Sequence, residues 1–117
     1  MAYDNPQTTV YRFPAANIAT SGTVGQFIGP SGKKGRVTDI GYVITTNTTV
    51  APTLISIGIS GNTSKFATNS VPVGVANTVG NGVTDIADID ADVAVLVTTD
   101  GGCTAGAADL LVMIEWY

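Results

Sequence analysis

The chain contains no histidine, a single cysteine and few charges. Without histidine it lacks the commonest general base near neutral pH and the commonest zinc ligand. Cys103 has no second thiol to bridge, which excludes an intrachain disulfide and a multi-cysteine metal site. With no imidazole to activate it, Cys103 reads as a small buried residue rather than a nucleophile. Charged side chains make up 12 % of the 117 residues, against roughly 25 % in an ordinary soluble domain. Nor is there an apolar run of about 18 residues, the length a membrane-crossing helix needs. The opening MAYDNPQTTVYRF lacks the charged-then-apolar layout of a signal peptide. The chain is therefore expected to act without a membrane and where it is synthesised.

The formal net charge is −4, from five basic and nine acidic residues. Binding to nucleic acid through its phosphates needs several cations, so no nucleic-acid partner is expected. A surface this poor in charge must be covered by Thr, Ser, Asn and Gly. Such a surface packs against other proteins with few charges to desolvate. That composition suits an assembly component.

What is abundant is Val, Ile and Thr in short segments broken by Gly, Pro and Asn, the pattern of an all-β sandwich or barrel. The length suits one domain with a single core. Residues 1–8 read as an extended N-terminal arm and 9–117 as the β-domain. TTVYRF (8–13) places Thr9, Tyr11 and Phe13 on one face and Val10 and Arg12 on the other, with Pro14 ending the strand. GTVGQFIG (22–29) reads as a second strand. RVTDIGYVITTN (36–47) sets Ile40, Tyr42 and Ile44 on one face and Val37, Asp39, Gly41, Val43 and Thr45 on the other. TLISIGIS (53–60) alternates cleanly and leads through a Gly61-Asn62 turn into SKFAT (64–68). Residues 69–92 read as loops with short strand fragments. VAVLVTT (93–99) reads as a strand buried on both faces, and DGGCTAGA (100–107) as a loop. ADLLVMIEWY (108–117) reads as a closing strand with Leu110, Val112, Ile114 and Trp116 inward.

Two charged clusters stand out. Lys33, Lys34 and Arg36 lie in GPSGKKGR (29–36), whose Pro30, Gly32 and Gly35 mark a turn. The cluster reads either as a solvated hairpin tip or as an electrostatic latch onto an acidic surface of a partner subunit. Its complement is the segment holding Asp88, Asp90 and Asp92. That segment opens like a calcium loop, but an EF-hand needs glycine at the sixth position and an acidic ligand at the twelfth. Val93 and Thr99 stand there instead. It reads as a half-buried edge strand with an acidic outer face, with an inter-subunit calcium site as the other reading. GGCTAG fits neither a dinucleotide fingerprint nor a P-loop. No acid–base or nucleophilic constellation is present, so neither catalysis nor a cofactor is expected.

Taken in order, the YRF strand, GPSGKKGRVTDIGYVITT, LISIGISGNTSKFAT and the closing DGGCTAGAADLLVMIEWY make the chain resemble small virion proteins of tailed bacteriophages over most of residues 8–117. The resemblance implies a capsid decoration (cement) protein with a single-domain, jelly-roll-like antiparallel β-sandwich. It implies a homo-oligomer, a trimer by preference, assembled in the host cytoplasm. Such a protein binds the major capsid protein at joints between subunits on the outer surface of the virion. Candidate capsid or inter-subunit contacts are then Tyr3, Asp4 and Arg12 near the N-terminus, Lys33, Lys34 and Arg36 at the tip, and Asp88, Asp90 and Asp92. The alternative is a receptor- or glycan-binding head of a phage fibre or spike, using loops 69–92 and 100–107. A non-viral carbohydrate-binding module ranks behind both.

Overall fold

A computed structural model describes residues 7–117. Tyr3 and Asp4, and with them most of the expected arm, lie outside the described residues. Among the described residues the chain forms nine strands and no helix. They are β1 (Gln7–Asn17), β2 (Gly22–Phe27), β3 (Gly35–Thr46), β4 (Thr53–Ile59), β5 (Asn62–Val71), β6 (Val79–Gly82), β7 (Thr84–Asp85), β8 (Val95–Thr99) and β9 (Ala107–Trp116). Gln7 and Thr8, the last described part of that arm's neighbourhood, open β1 opposite Trp116 and Glu115.

The strands form two antiparallel sheets, ordered β1-β9-β3-β6 and β2-β8-β4-β5-β7. Their pairings are nested: β1 with β9, β2 with β8, β3 with β6, β4 with β5. Such nesting is what a long hairpin makes when it is rolled up on itself, and it defines a jelly roll, the sandwich that the resemblance implied. The tight hairpin at its centre turns through Ser60 and Gly61, one residue earlier than the sequence suggested, with Gly61 at φ +89°.

The core lies between the sheets. Strand β9 runs through the middle of the first sheet, and Leu110, Val112, Ile114 and Trp116 are all within 1 % of complete burial, as their alternation predicts. Ile40, Ile44, Ile55, Ile57 and Phe66 meet them. Fully burying one such side chain is worth about 1.5–3 kcal/mol, so the period-2 pattern is the main reason that these segments are strands.

Three expectations need correction, and register or place in the sheet explains each. Val37 is buried, although its odd number puts it opposite Ile40 in a regular strand. The pairing with β9 shifts between Val37 and Asp39, so a bulge at Thr38 brings Val37 back to the core face. Pro14 does not end the first strand. β1 continues to Asn17 through a bulge between Phe13 and Ala16, and proline is tolerated because β1 is an edge strand. β8 is not buried on both faces: Val95, Val97 and Thr99 are buried, while Leu96 and Thr98 are half-buried on the outer side of a two-layer sandwich.

The two ends of the sandwich are closed differently. At one end the Ile18 carbonyl accepts from Thr53 Oγ1 at 3.1 Å, Thr99 Oγ1 at 3.3 Å and the Cys103 thiol at 3.4 Å. Cys103 is thus a buried structural residue. At the other end the chain terminus is held by the basic tip.

Candidate interaction surfaces

The tip forms a β-turn in which the Lys33 N–H donates to the Pro30 carbonyl at 3.2 Å and Gly32 takes φ +73°. Glycine is needed there because a side chain at that φ is strained. The Gly32 N–H donates to Asp92 Oδ1 at 3.0 Å. Gly35 and Ile89 exchange backbone hydrogen bonds of 3.0 and 2.6 Å, and Ile89 is buried beneath them. The segment holding Asp92 and Ile89 thus packs on the tip of its own chain, through bonds to the tip's backbone.

The acidic residues do not converge. Asp88 accepts from the Tyr117 hydroxyl, Asp90 lies 3.6 Å from Lys65 Nζ, and Asp92 caps the tip. Asp92 sits at φ +62°, and the segment is a single bridge followed by a turn rather than the edge strand expected. Among the described residues no group of three His, Cys, Asp or Glu side chains is placed to hold a metal ion. The Asp88 carboxylate raises the pKa of Tyr117, chiefly by accepting its hydroxyl hydrogen bond.

Arg36 pairs with Glu115 at 3.4 Å, and Arg12 with Asp109 at 3.1 Å. Asp109 also accepts the Ala15 N–H at 2.6 Å, which holds the β1 bulge in place. That backbone bond, more than Arg12, lowers the Asp109 pKa. Exposed pairs of this kind are worth about 0–1 kcal/mol. Lys34 is exposed and Lys33 half-buried.

Besides Ile28 and Ile86, which flank the charged segments, outward apolar residues form two groups that the sequence reading did not single out. The first occupies loops at the Cys103 end: Val50 is 77 % exposed, Val75 64 % and Val73 49 %. These loops are tied together by Thr48, whose N–H donates to the Gly74 carbonyl at 2.9 Å, and by Asn47 Oδ1, which accepts the Ala76 N–H at 2.8 Å. Val50 stands at φ 77°, a region that a β-branched residue seldom enters. The second group lies on the outer face of the first sheet. Val43, Val79, Leu111 and Met113 surround a cavity of about 380 Å³ with Gly41 in its lining, and Val10 pairs opposite Met113. A sequence signal existed for the first group: Val50, Val73 and Val75 sit among Gly, Pro and Asn, which mark loops.

No family model matches the chain, and no curated protein matches it. Among solved structures, a chain of the cyanophage Pam1 capsid asymmetric unit aligns over 100 % of this chain and 89 % of its own length, with 15 % identity and a TM-score of 0.45.

Proposed function

We propose that this protein is a structural component of a bacteriophage virion that decorates the capsid and stabilises it by binding at joints between capsid subunits. The observation that carries the reading is the apolar loop end formed by Val50, Val73 and Val75. Water-facing valines, one of them held in a strained backbone conformation, contribute little to the fold of a lone chain. Buried against a partner they contribute a few kcal/mol per copy, at about 25 cal/mol per Å². Strain maintained at an exposed position points to a contact made there.

The closed jelly roll supplies a rigid body for such a contact, and the low charge of the surface keeps desolvation inexpensive. Many copies, each bound modestly, shift the equilibrium toward the closed shell by mass action. The partner is the major capsid protein, the location is the outer capsid surface, and the role is binding alone. Homo-oligomerisation, with a trimer favoured, is part of the proposal. The outer face of the first sheet is the second surface available for it.

Co-sedimentation tests the reading. Purified protein is mixed with phage heads assembled without it and pelleted with them. Pelleting by the wild type, and its loss on changing Val50, Val73 and Val75 together to Ser, supports the proposal. Wild type remaining in the supernatant overturns it.

A further inference from the structure

The outer face of the second sheet carries a row of hydroxyls. Thr23 pairs with Thr98, Thr98 with Ser56, and Ser56 with Thr68, so four adjacent strands place Thr or Ser at one level. Beside this row β5 folds over β4, because Gly58 leaves room: a Cβ on Gly58 falls 2.3 Å from the Asn62 carbonyl oxygen and 2.4 Å from the Thr63 carbonyl carbon. The overhang makes Thr63 one wall of a cavity of about 310 Å³ that Ser56 and Thr98 also line. A second cavity, about 440 Å³, adjoins it, and Phe13, Pro14 and Asn17 lie along that part. The two share Ser21, Gly22, Thr23 and Thr99 and form one groove.

Ser56 is 8 % exposed and its hydroxyl makes no hydrogen bond to any described residue. The hydroxyls of Ser21, Thr23, Thr63 and Thr98 are likewise unpartnered among the described residues. Each is both a donor and an acceptor. At one end of the groove Asp100 is fixed, its Oδ1 accepting the Leu54 N–H at 3.0 Å and the Gly102 N–H at 2.9 Å. Arg12 stands at the other.

This lining selects a class of ligand. An apolar molecule would displace water and leave the hydroxyls unsatisfied, at about 1–3 kcal/mol for each buried group. An anion would need several cations or clustered N–H groups, and a metal ion several carboxylates, neither of which lines the groove. A neutral polyol meets each hydroxyl with a group that donates and accepts, and the two adjoining cavities leave room for linked units. Phe13 and Pro14 give this lining an apolar part, which suits the C–H groups of a sugar. We propose that this groove binds a neutral oligosaccharide. The proposal does not rest on capsid binding, which is assigned above to the valines of the loop end. Of the two loops expected to contact a glycan, 100–107 reaches the groove through Asp100, and no residue of 69–92 lines it.

The test is ¹H–¹⁵N NMR of the full chain titrated with neutral oligosaccharides ending in glucose, galactose, rhamnose or N-acetylglucosamine. A sialylated oligosaccharide and inorganic phosphate serve as charged probes. Amide shifts confined to Thr23, Ser56, Thr63, Thr98 and their neighbours, caused by at least one neutral probe, support the proposal. Ser56→Ala and Thr23→Val should each weaken that binding about tenfold, the loss expected of one hydrogen bond. Thr23 is exposed, so its variant keeps the test valid if the Ser56 variant fails to fold. The proposal is overturned if no neutral probe shifts the groove, if the charged probes occupy it in preference, or if both variants bind unchanged.

Discussion

Lys34 and Tyr117 exchange backbone hydrogen bonds, the N–H of each donating to the carbonyl of the other at 2.9 Å. The basic tip and the chain terminus are therefore one structural unit. Asp88 adds a side-chain bond to Tyr117, and the Trp116 ring packs over Gly29 and Gly35. Of the tip's cations Arg36 pairs with Glu115, while Asp92 accepts the Gly32 N–H and Asp90 lies beside Lys65.

Deleting Tyr117 removes both backbone bonds and the contact with Asp88. At about 0.5–1.5 kcal/mol net for each of the three hydrogen bonds, the expected loss is about 1.5–4.5 kcal/mol. Urea unfolding measures it as a lower midpoint. An unchanged midpoint would show that the terminus is not held.

Glycine positions divide by what a methyl group would meet. A Cβ on Gly35 falls 2.6 Å from the Trp116 ring, which is itself buried. Gly35→Ala is expected to cost about 1–3 kcal/mol through overpacking. At Gly41 the nearest atoms are 3.8 Å away and the cavity is open, so Gly41→Ala should change stability little. Thermal unfolding of the two variants side by side checks the contrast.

How far the sequence revealed the fold depends on whether a feature is local. The alternation in β9 is a local property, and it identified every inward residue from Leu110 to Trp116. The bulges at Thr38 and Pro14 are properties of register between strands far apart in sequence, so Val37 was assigned to the wrong face. Likewise, the Lys65–Asp90 pair and the Gly32–Asp92 bond join segments that meet only after the hairpin rolls up. Composition marked the charge clusters without showing that their partners lie elsewhere in the chain, Glu115 for Arg36 and Lys65 for Asp90. The hydroxyl row of Thr23, Thr98 and Ser56 is equally invisible in sequence, since it exists only once three strands are aligned.

Val50 bears the cost of a left-handed backbone conformation. Val50→Gly relieves a penalty of roughly 1–2 kcal/mol and gives back up to about 1 kcal/mol through the unfolded chain's extra freedom. The expected result is unchanged or slightly raised stability together with weaker capsid binding. A clear fall in melting temperature would contradict this assignment.

Asp109 supplies an acid-side prediction. Its pKa is lowered in the fold, first by the Ala15 N–H and then by Arg12, so folding favours the carboxylate. The unfolded state binds the proton more readily, and the stabilisation is fully present above about pH 4. It is lost as pH falls through the lower folded value. Asp109→Asn should remove this part of the acid dependence, measured as a smaller drop in melting temperature between neutral and strongly acidic pH. Parallel curves for the two proteins would contradict it.

The most direct test of the central claim is co-sedimentation with heads assembled without this protein, comparing wild type with the triple variant Val50→Ser, Val73→Ser, Val75→Ser. The account predicts that wild type pellets with the heads and that the folded variant stays in solution. A wild type that does not pellet, or a variant that pellets equally well, would contradict a capsid contact made by this end of the sandwich.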